Sequence, residues 1–132
     1  MMMLTWLALV LLVGFLCWVA RPSSIRASND ERQQQEAEAK GLALLLENLD
    51  PRQREQYDRS GYFDVVGSET GRRYRICHGV SRNVSELFDD NRLGAGRCFM
   101  PRGNLAAGDC MLAQKIMLEN CEEEALRVAL RF

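Results

Sequence analysis

Tyr62-Phe63-Asp64-Val65-Val66-Gly67-Ser68-Glu69-Thr70-Gly71-Arg72-Arg73-Tyr74-Arg75-Ile76-Cys77 is the stretch on which the fold turns. Two runs rich in aromatic and β-branched residues flank a turn-forming Gly67–Gly71 segment, the pattern of a β-hairpin. Strand alternation places Tyr74 and Ile76 on one face and Arg73 and Arg75 on the other. The apolar pair is therefore expected in the core and the arginines on a solvated outer face.

Downstream, a third strand is expected around residues 83–87 and a fourth around 97–100. Asp89-Asp90-Asn91 and Gly94-Ala95-Gly96 read as the loop between them. Asp109 is expected to cap the last helix. Its apolar face is traced through Ala113, Ile116, Met117, Cys121, Ala125, Val128 and Ala129, with Glu119, Glu122, Glu123 and Arg127 in water. Asn120-Cys121 reads as a bend, because Glu122-Glu123-Glu124 resembles the acidic first turn of a second helix.

Upstream, Asp50-Pro51 with Gln53 has the spacing of a capping box with proline at the first helical position, and Ser60-Gly61 supplies the stop. Ser28 and Glu31 have the same capping spacing ahead of a Glu-, Gln-, Ala- and Leu-rich helix that runs to about residue 48. Its first half is almost wholly polar, and apolar residues gather at Leu42, Leu44, Leu45, Leu46 and Leu49, with Gly41 a weak point. This is the pattern of a solvated stalk that docks onto a domain at its end.

Leu4 to Ala20 carries no charged side chain. With Met1–Met3 included, twenty residues at a rise of ~1.5 Å cover roughly the 30 Å of a bilayer's hydrocarbon core. A secretory signal normally opens with a basic residue, and none precedes Arg21. The small-residue spacing of a cleavage site is poor at Ala20 and at Ala27, and Cys17 lacks the small residues that precede a lipidated cysteine. Residues 1–20 are therefore read as a transmembrane helix in contact with the lipid bilayer. Arg21, Arg26 and Arg32 follow the span, so the large C-terminal part is expected on the cytoplasmic side. The domain reading is a transmembrane helix over 1–20, a linker and stalk helix over 21–48, and a small domain over 49–132.

The 132 residues carry 17 basic and 18 acidic side chains, a balance that argues against a strongly basic nucleic-acid binder. The middle is mildly basic: residues 51–102 hold ten basic and seven acidic groups. Of five cysteines, Cys17 lies in the span. Cys77, Cys98, Cys110 and Cys121 are expected as reduced thiols in the cytoplasm, or as two disulfides of open connectivity outside it.

The ordered pattern Tyr62-Phe63-x-Val65, Gly67-Ser68, Gly71-Arg72-x-Tyr74-Arg75-Ile76, Asn83-Val84, Cys98 before Pro101, and Gly108-Asp109-x-Met111-Leu112-Ala113-Gln114-Lys115-x-Met117-Leu118-Glu119 resembles a small uncharacterised domain of short bacterial and phage proteins. The resemblance covers residues 49–130. It implies a shared fold and no activity.

Candidate sites follow from residue chemistry. Cys77, Cys98 and Cys110 are the thiols considered for zinc, although successive cysteines are too far apart for the paired ligands of small zinc sites. His78 is the single histidine, and no third group stands out to build a cysteine nucleophile. Arg72, Arg73, Arg75 and Arg82, interleaved with Tyr74, resemble a surface for a partner, single-stranded nucleic acid or anionic lipid. Asn83-Val84-Ser85 fits a glycosylation acceptor. Lys115 is expected to be exposed. The fold class is α+β: an N-terminal transmembrane helix, a helical stalk, then a small antiparallel β-sheet packed on a C-terminal helix. The expected role is binding or scaffolding of a partner at the cytoplasmic face. A tethered zinc- or nucleic-acid-binding module is the alternative, and an enzyme ranks behind both.

Overall fold

The structure, a computed structural model, describes residues 28–132. The segment read as a transmembrane helix, the Arg21 and Arg26 flank and most of the linker lie outside the described residues. No helix among the described residues is long and apolar enough to cross a membrane. Residues 37–132 pack as one unit. Helix α1 covers residues 28–48, α2 Pro51–Ser60, α3 Ala107–Asn120 and α4 Glu122–Val128. Strands β1 (Tyr62–Val66), β2 (Arg73–Cys77), β3 (Val84–Leu87), β4 (Leu93–Cys98) and β5 (Leu130–Arg131) form an antiparallel sheet in sequence order. The fold is α+β, as the sequence implies.

The hairpin has the expected register. Phe63 faces Ile76 and Val65 faces Tyr74 across β1 and β2, and all four are buried. With Leu45, Val84, Met111, Leu118 and Ala125 they make the core. Fully burying a large apolar side chain contributes roughly 1.5–3 kcal/mol, so this cluster is the main favourable term. The last turns of α1 belong to it: Leu45 is fully buried, and Leu42 and Leu49 pack against its edge. The stalk thus ends inside the packed unit. Gly41 is its contact point rather than a weakness. A Cβ on Gly108 would stand 2.2 Å from the carbonyl of Gly41, and one on Gly41 would stand 2.8 Å from the Cβ of Ala106. The two backbones touch because neither glycine has a side chain.

Several expectations are corrected. Gly94-Ala95-Gly96 is not loop but the middle of β4, which starts at Leu93 and ends at Cys98. The glycines hid the strand because they supply none of its usual side chains. Asp109 is not the N-cap of α3. That position is Ala106, which has no capping side chain, and the free N–H of Ala107 donates instead to Glu38 Oε2 at 3.0 Å. Of the traced apolar face, Met117, Ala125 and Ala129 lie in or against the core, but the rest of the face is rotated. Ile116 and Val128 are about half exposed, and Ala113 and Cys121 are exposed, whereas Cys110, Met111, Gln114 and Leu118 are buried. Gln114 turns inward because Asn83 satisfies it: the two side-chain amides exchange hydrogen bonds of 2.9 Å each. Finally, Glu122 faces inward and is fully buried.

The expected bend is present, with Cys121 separating α3 from α4. The Asp50–Gln53 capping box and Pro51 open α2 as read. Lys115 is largely covered, its Nζ bonded to Glu119 one turn on.

The outer face of the hairpin is less solvated than alternation alone suggests. Arg75 Nε and Nη2 donate to the two oxygens of Asp64 at 2.8 and 3.1 Å, and its guanidinium lies 3.9 Å from the centre of the Tyr62 ring. Ile76→Ala is expected to cost ~2–5 kcal/mol by leaving a cavity. Arg75→Ala is expected to cost about 1–2 kcal/mol, the share of a partly buried charged hydrogen-bond pair. Urea unfolding of the two variants checks the order; a larger loss for Arg75→Ala would place the hairpin one residue out of register.

Candidate functional site: an arginine-lined cleft

In the Gly67–Gly71 turn between β1 and β2 the residues from Ser68 on are exposed, yet a buried group shapes the turn. Glu122, at the start of α4, accepts hydrogen bonds from the backbone N–H groups of Glu69 (3.0 Å) and Thr70 (2.7 Å), from the Thr70 hydroxyl, and from the Tyr74 hydroxyl (2.6 Å). The turn in turn caps α4. Glu122 N–H donates to Ser68 Oγ at 3.2 Å and Glu123 N–H to Glu69 Oε2 at 3.2 Å, while Ser68 N–H donates to the Leu118 carbonyl at 3.0 Å. A Cβ on Gly67 would stand 2.2 Å from the Glu122 carboxyl carbon, so only glycine fits there. Burial pushes the Glu122 carboxyl up. The hydrogen bonds from Thr70, Tyr74 and the two backbone N–H groups outweigh that push, and the net shift is downward. The Tyr74 hydroxyl is pushed well above the ordinary phenol value, first by burial and then by its bond to Glu122.

This turn forms one wall of a cleft of about 550 Å³. Arg72 and Arg73 line it from the start of β2, Arg97 from β4 and Arg131 from β5, against the carboxylates of Glu86 and Asp89. Arg97 and Arg131 are directly opposed across the β4–β5 pair. Directly opposed residues share a face with side chains ~5 Å apart, and like charges there repel. Glu86 offsets part of this by pairing with Arg97. The Arg97 Nε–H is nevertheless buried without an acceptor. The guanidinium groups of Arg72 and Arg131 make no ion pair with the described residues, and both side chains are exposed. With the Arg73 guanidinium turned to Asp64, three arginines (Arg72, Arg97 and Arg131) face two carboxylates here, a surplus of positive charge.

The four arginines expected to act together are divided. Arg72 opens into the cleft. Arg73, also among the lining residues, reaches Asp64 at 3.5 Å and Asn91 at 3.4 Å. Arg75 is bound to Asp64 on the outer face. Arg82 is exposed at a separate turn, its guanidinium 5.6 Å from the centre of the Phe132 ring. They do not make one continuous basic and aromatic track. Arg97 and Arg131, which the sequence reading did not single out, are the residues that complete the cleft. The missing signal was β5: two residues are too few for alternation to be seen.

The cysteines are also dispersed. Cys77 and Cys121 are exposed, Cys98 is half-buried and Cys110 is buried, and none forms a disulfide. Among the described residues no three His, Cys, Asp or Glu side chains converge as a metal site requires, so Cys77, Cys98 and Cys110 are not brought together. Burial pushes the Cys110 thiol up, with the charges of Asp109 and Glu38 adding, which disfavours the thiolate needed for metal binding or nucleophilic attack. His78 Nδ1 lies 2.7 Å from the Tyr57 hydroxyl. Asn83 is buried, and its Nδ2, the atom a glycan would occupy, donates to Cys77 O, Gly79 O and Gln114 Oε1. Those bonds are incompatible with a glycan in the folded domain.

Glu122→Gln is expected to destabilise the domain by about 3 kcal/mol, because an amide cannot accept from all four donors and buried unmet groups cost ~1–3 kcal/mol each. The Glu122 carboxyl is lower in the folded chain than its unfolded value of ~4.3. The carboxylate's contribution is therefore complete above that value and lost as pH falls through the folded one. Denaturant unfolding of both proteins should show the gap between them at neutral pH and shrinking below about pH 4. No family model matches the chain, and no curated protein or solved structure matches it.

Proposed function

We propose that this chain is a single-pass membrane protein whose packed unit holds an anionic group of a partner beside the cytoplasmic face, without catalysing a reaction. The observation that carries the binding role is the directly opposed Arg97–Arg131 pair in a cleft whose cations outnumber its carboxylates. A fold bears such repulsion where a bound anion relieves it. The tethering part rests on the apolar run over residues 1–20 and on the arginines that follow it. The likeness of residues 49–130 to a domain of short bacterial and phage proteins belongs to the same proposal and brings no activity with it.

Two experiments test this reading. Alkaline carbonate washing should leave the full chain in the membrane pellet and release a chain that begins at residue 28; full-length protein in the supernatant would remove the anchor. A photo-crosslinking side chain in place of Asp89, at the rim of the cleft, should give discrete adducts in intact cells. Those adducts should disappear with Arg72→Glu and Arg131→Glu combined, while a crosslinker in place of the exposed Glu55 gives none of them. Adducts that survive the charge reversal would mean that the cleft is not the binding surface.

A further inference from the structure

We infer that the ligand group of the arginine cleft is a phosphomonoester. This rests on the binding role proposed above and names its chemistry. Three arginines from three separate segments line the cleft: Arg72 from the hairpin turn and Arg131 from β5, neither in an ion pair among the described residues, and Arg97 from β4, whose Nε–H has no acceptor. A phosphomonoester presents three strong acceptor oxygens and carries about −1.5 to −2 charge at neutral pH. Its three oxygens equal in number the three arginines, Arg72, Arg97 and Arg131, that line the cleft and are not turned to Asp64. A carboxylate presents two oxygens to the same three arginines, one fewer than their number.

The surroundings fit the same group. Glu86 pairs with Arg97 through Nη2, and the pair is largely covered, with side-chain exposures of 13% for Arg97 and 17% for Glu86. Shielding from water strengthens a charge-assisted bond formed there. Arg97 and Arg131, opposed on neighbouring strands, both line the cleft, so two guanidinium-bearing side chains start from one place in the sheet. The cleft, at about 550 Å³, is much larger than a phosphate, and Leu87 and Phe88 give it an apolar wall against which the group esterified to the phosphate can lie. A soluble phosphate ester and the phosphate headgroup of a lipid share this chemistry.

The test uses the full chain in a non-ionic detergent, titrated by calorimetry with phosphorus NMR as a second readout. The probes are inorganic phosphate, glycerol phosphate, short-chain phosphatidic acid, short-chain phosphatidylglycerol (a phosphodiester) and succinate. Both monoesters should bind, and the diester and succinate should bind at least tenfold more weakly. Equal affinity for glycerol phosphate and phosphatidic acid assigns a soluble ligand; tighter binding of phosphatidic acid assigns a lipid headgroup. Arg72→Gln and Arg131→Gln, both at exposed positions, should each weaken monoester binding about tenfold or more, since hydrogen bonds to charged groups are the strong class. Arg102→Gln, an exposed arginine outside the cleft, should leave it unchanged. No monoester binding at millimolar concentration, equal binding of succinate, or wild-type affinity in both cleft variants would overturn the inference. If monoesters fail while the Asp89 adducts remain sensitive to Arg72 and Arg131, the cleft still binds an anion and only the phosphomonoester assignment falls; if both fail, the binding role falls as well.

Discussion

The carboxylate of Glu122 is the constraint around which the rest of this domain is arranged. A charge without solvent exposure is costly unless hydrogen bonds replace its hydration. Here the hydroxyls of Thr70 and Tyr74 and the backbone N–H groups of Glu69 and Thr70 replace it. The consequence runs outward in two directions. Inward, the bond to Tyr74 ties α4 to the middle of β2 and fixes how the last helices sit on the sheet. Outward, the two backbone bonds give a surface turn one conformation, and Arg72 follows immediately after that turn. A loop of this length on the sheet edge would otherwise be among the least stable parts of the fold.

The same device recurs at other junctions. Asn83 and Gln114 exchange amide bonds, and Asn83 also ties back to the Cys77 and Gly79 carbonyls, which closes the turn between β2 and β3 onto α3. Glu38 supplies the cap that the Ala106 side chain cannot give to α3, and the Gly41–Gly108 contact lets the two helices come close enough for that bond. Each pin is polar, buried or half-buried, and joins residues far apart in the chain. Apolar burial gives the domain its stability, and these pins select one arrangement of loops. The cleft borders on that arrangement: one wall is the turn held by Glu122, and the floor is β4 held in register between β3 and β5.

What was legible in the sequence was local. The hairpin register, the Asp50–Gln53 capping box and the bend at Cys121 each depend on residues within a few positions of one another, and each is present. What was hidden was non-local. Glu122 sits among three successive acidic residues, where local pattern favours a solvated first turn, and only the four donors from distant positions bring it inside. Ala113 and Ile116 look like a core face, but the Asn83–Gln114 pair and the Gly41–Gly108 contact turn α3 so that they face outward. Of the cleft, Arg72 and Arg73 were picked out as part of a basic cluster. Arg97 and Arg131 were not, because their opposition exists only once a two-residue strand has paired with β4.

The central claim is that a buried carboxylate holds the exposed hairpin turn in one shape. Amide hydrogen exchange of the full chain measures this most directly, at Glu69 and Thr70. Both residues are exposed, and their N–H groups bond to no backbone carbonyl but to Glu122. The account predicts protection at these two amides comparable to that of Tyr74 and Ile76 in the neighbouring strand. Exchange at the rate of an unstructured turn, with the strand amides still protected, would contradict it.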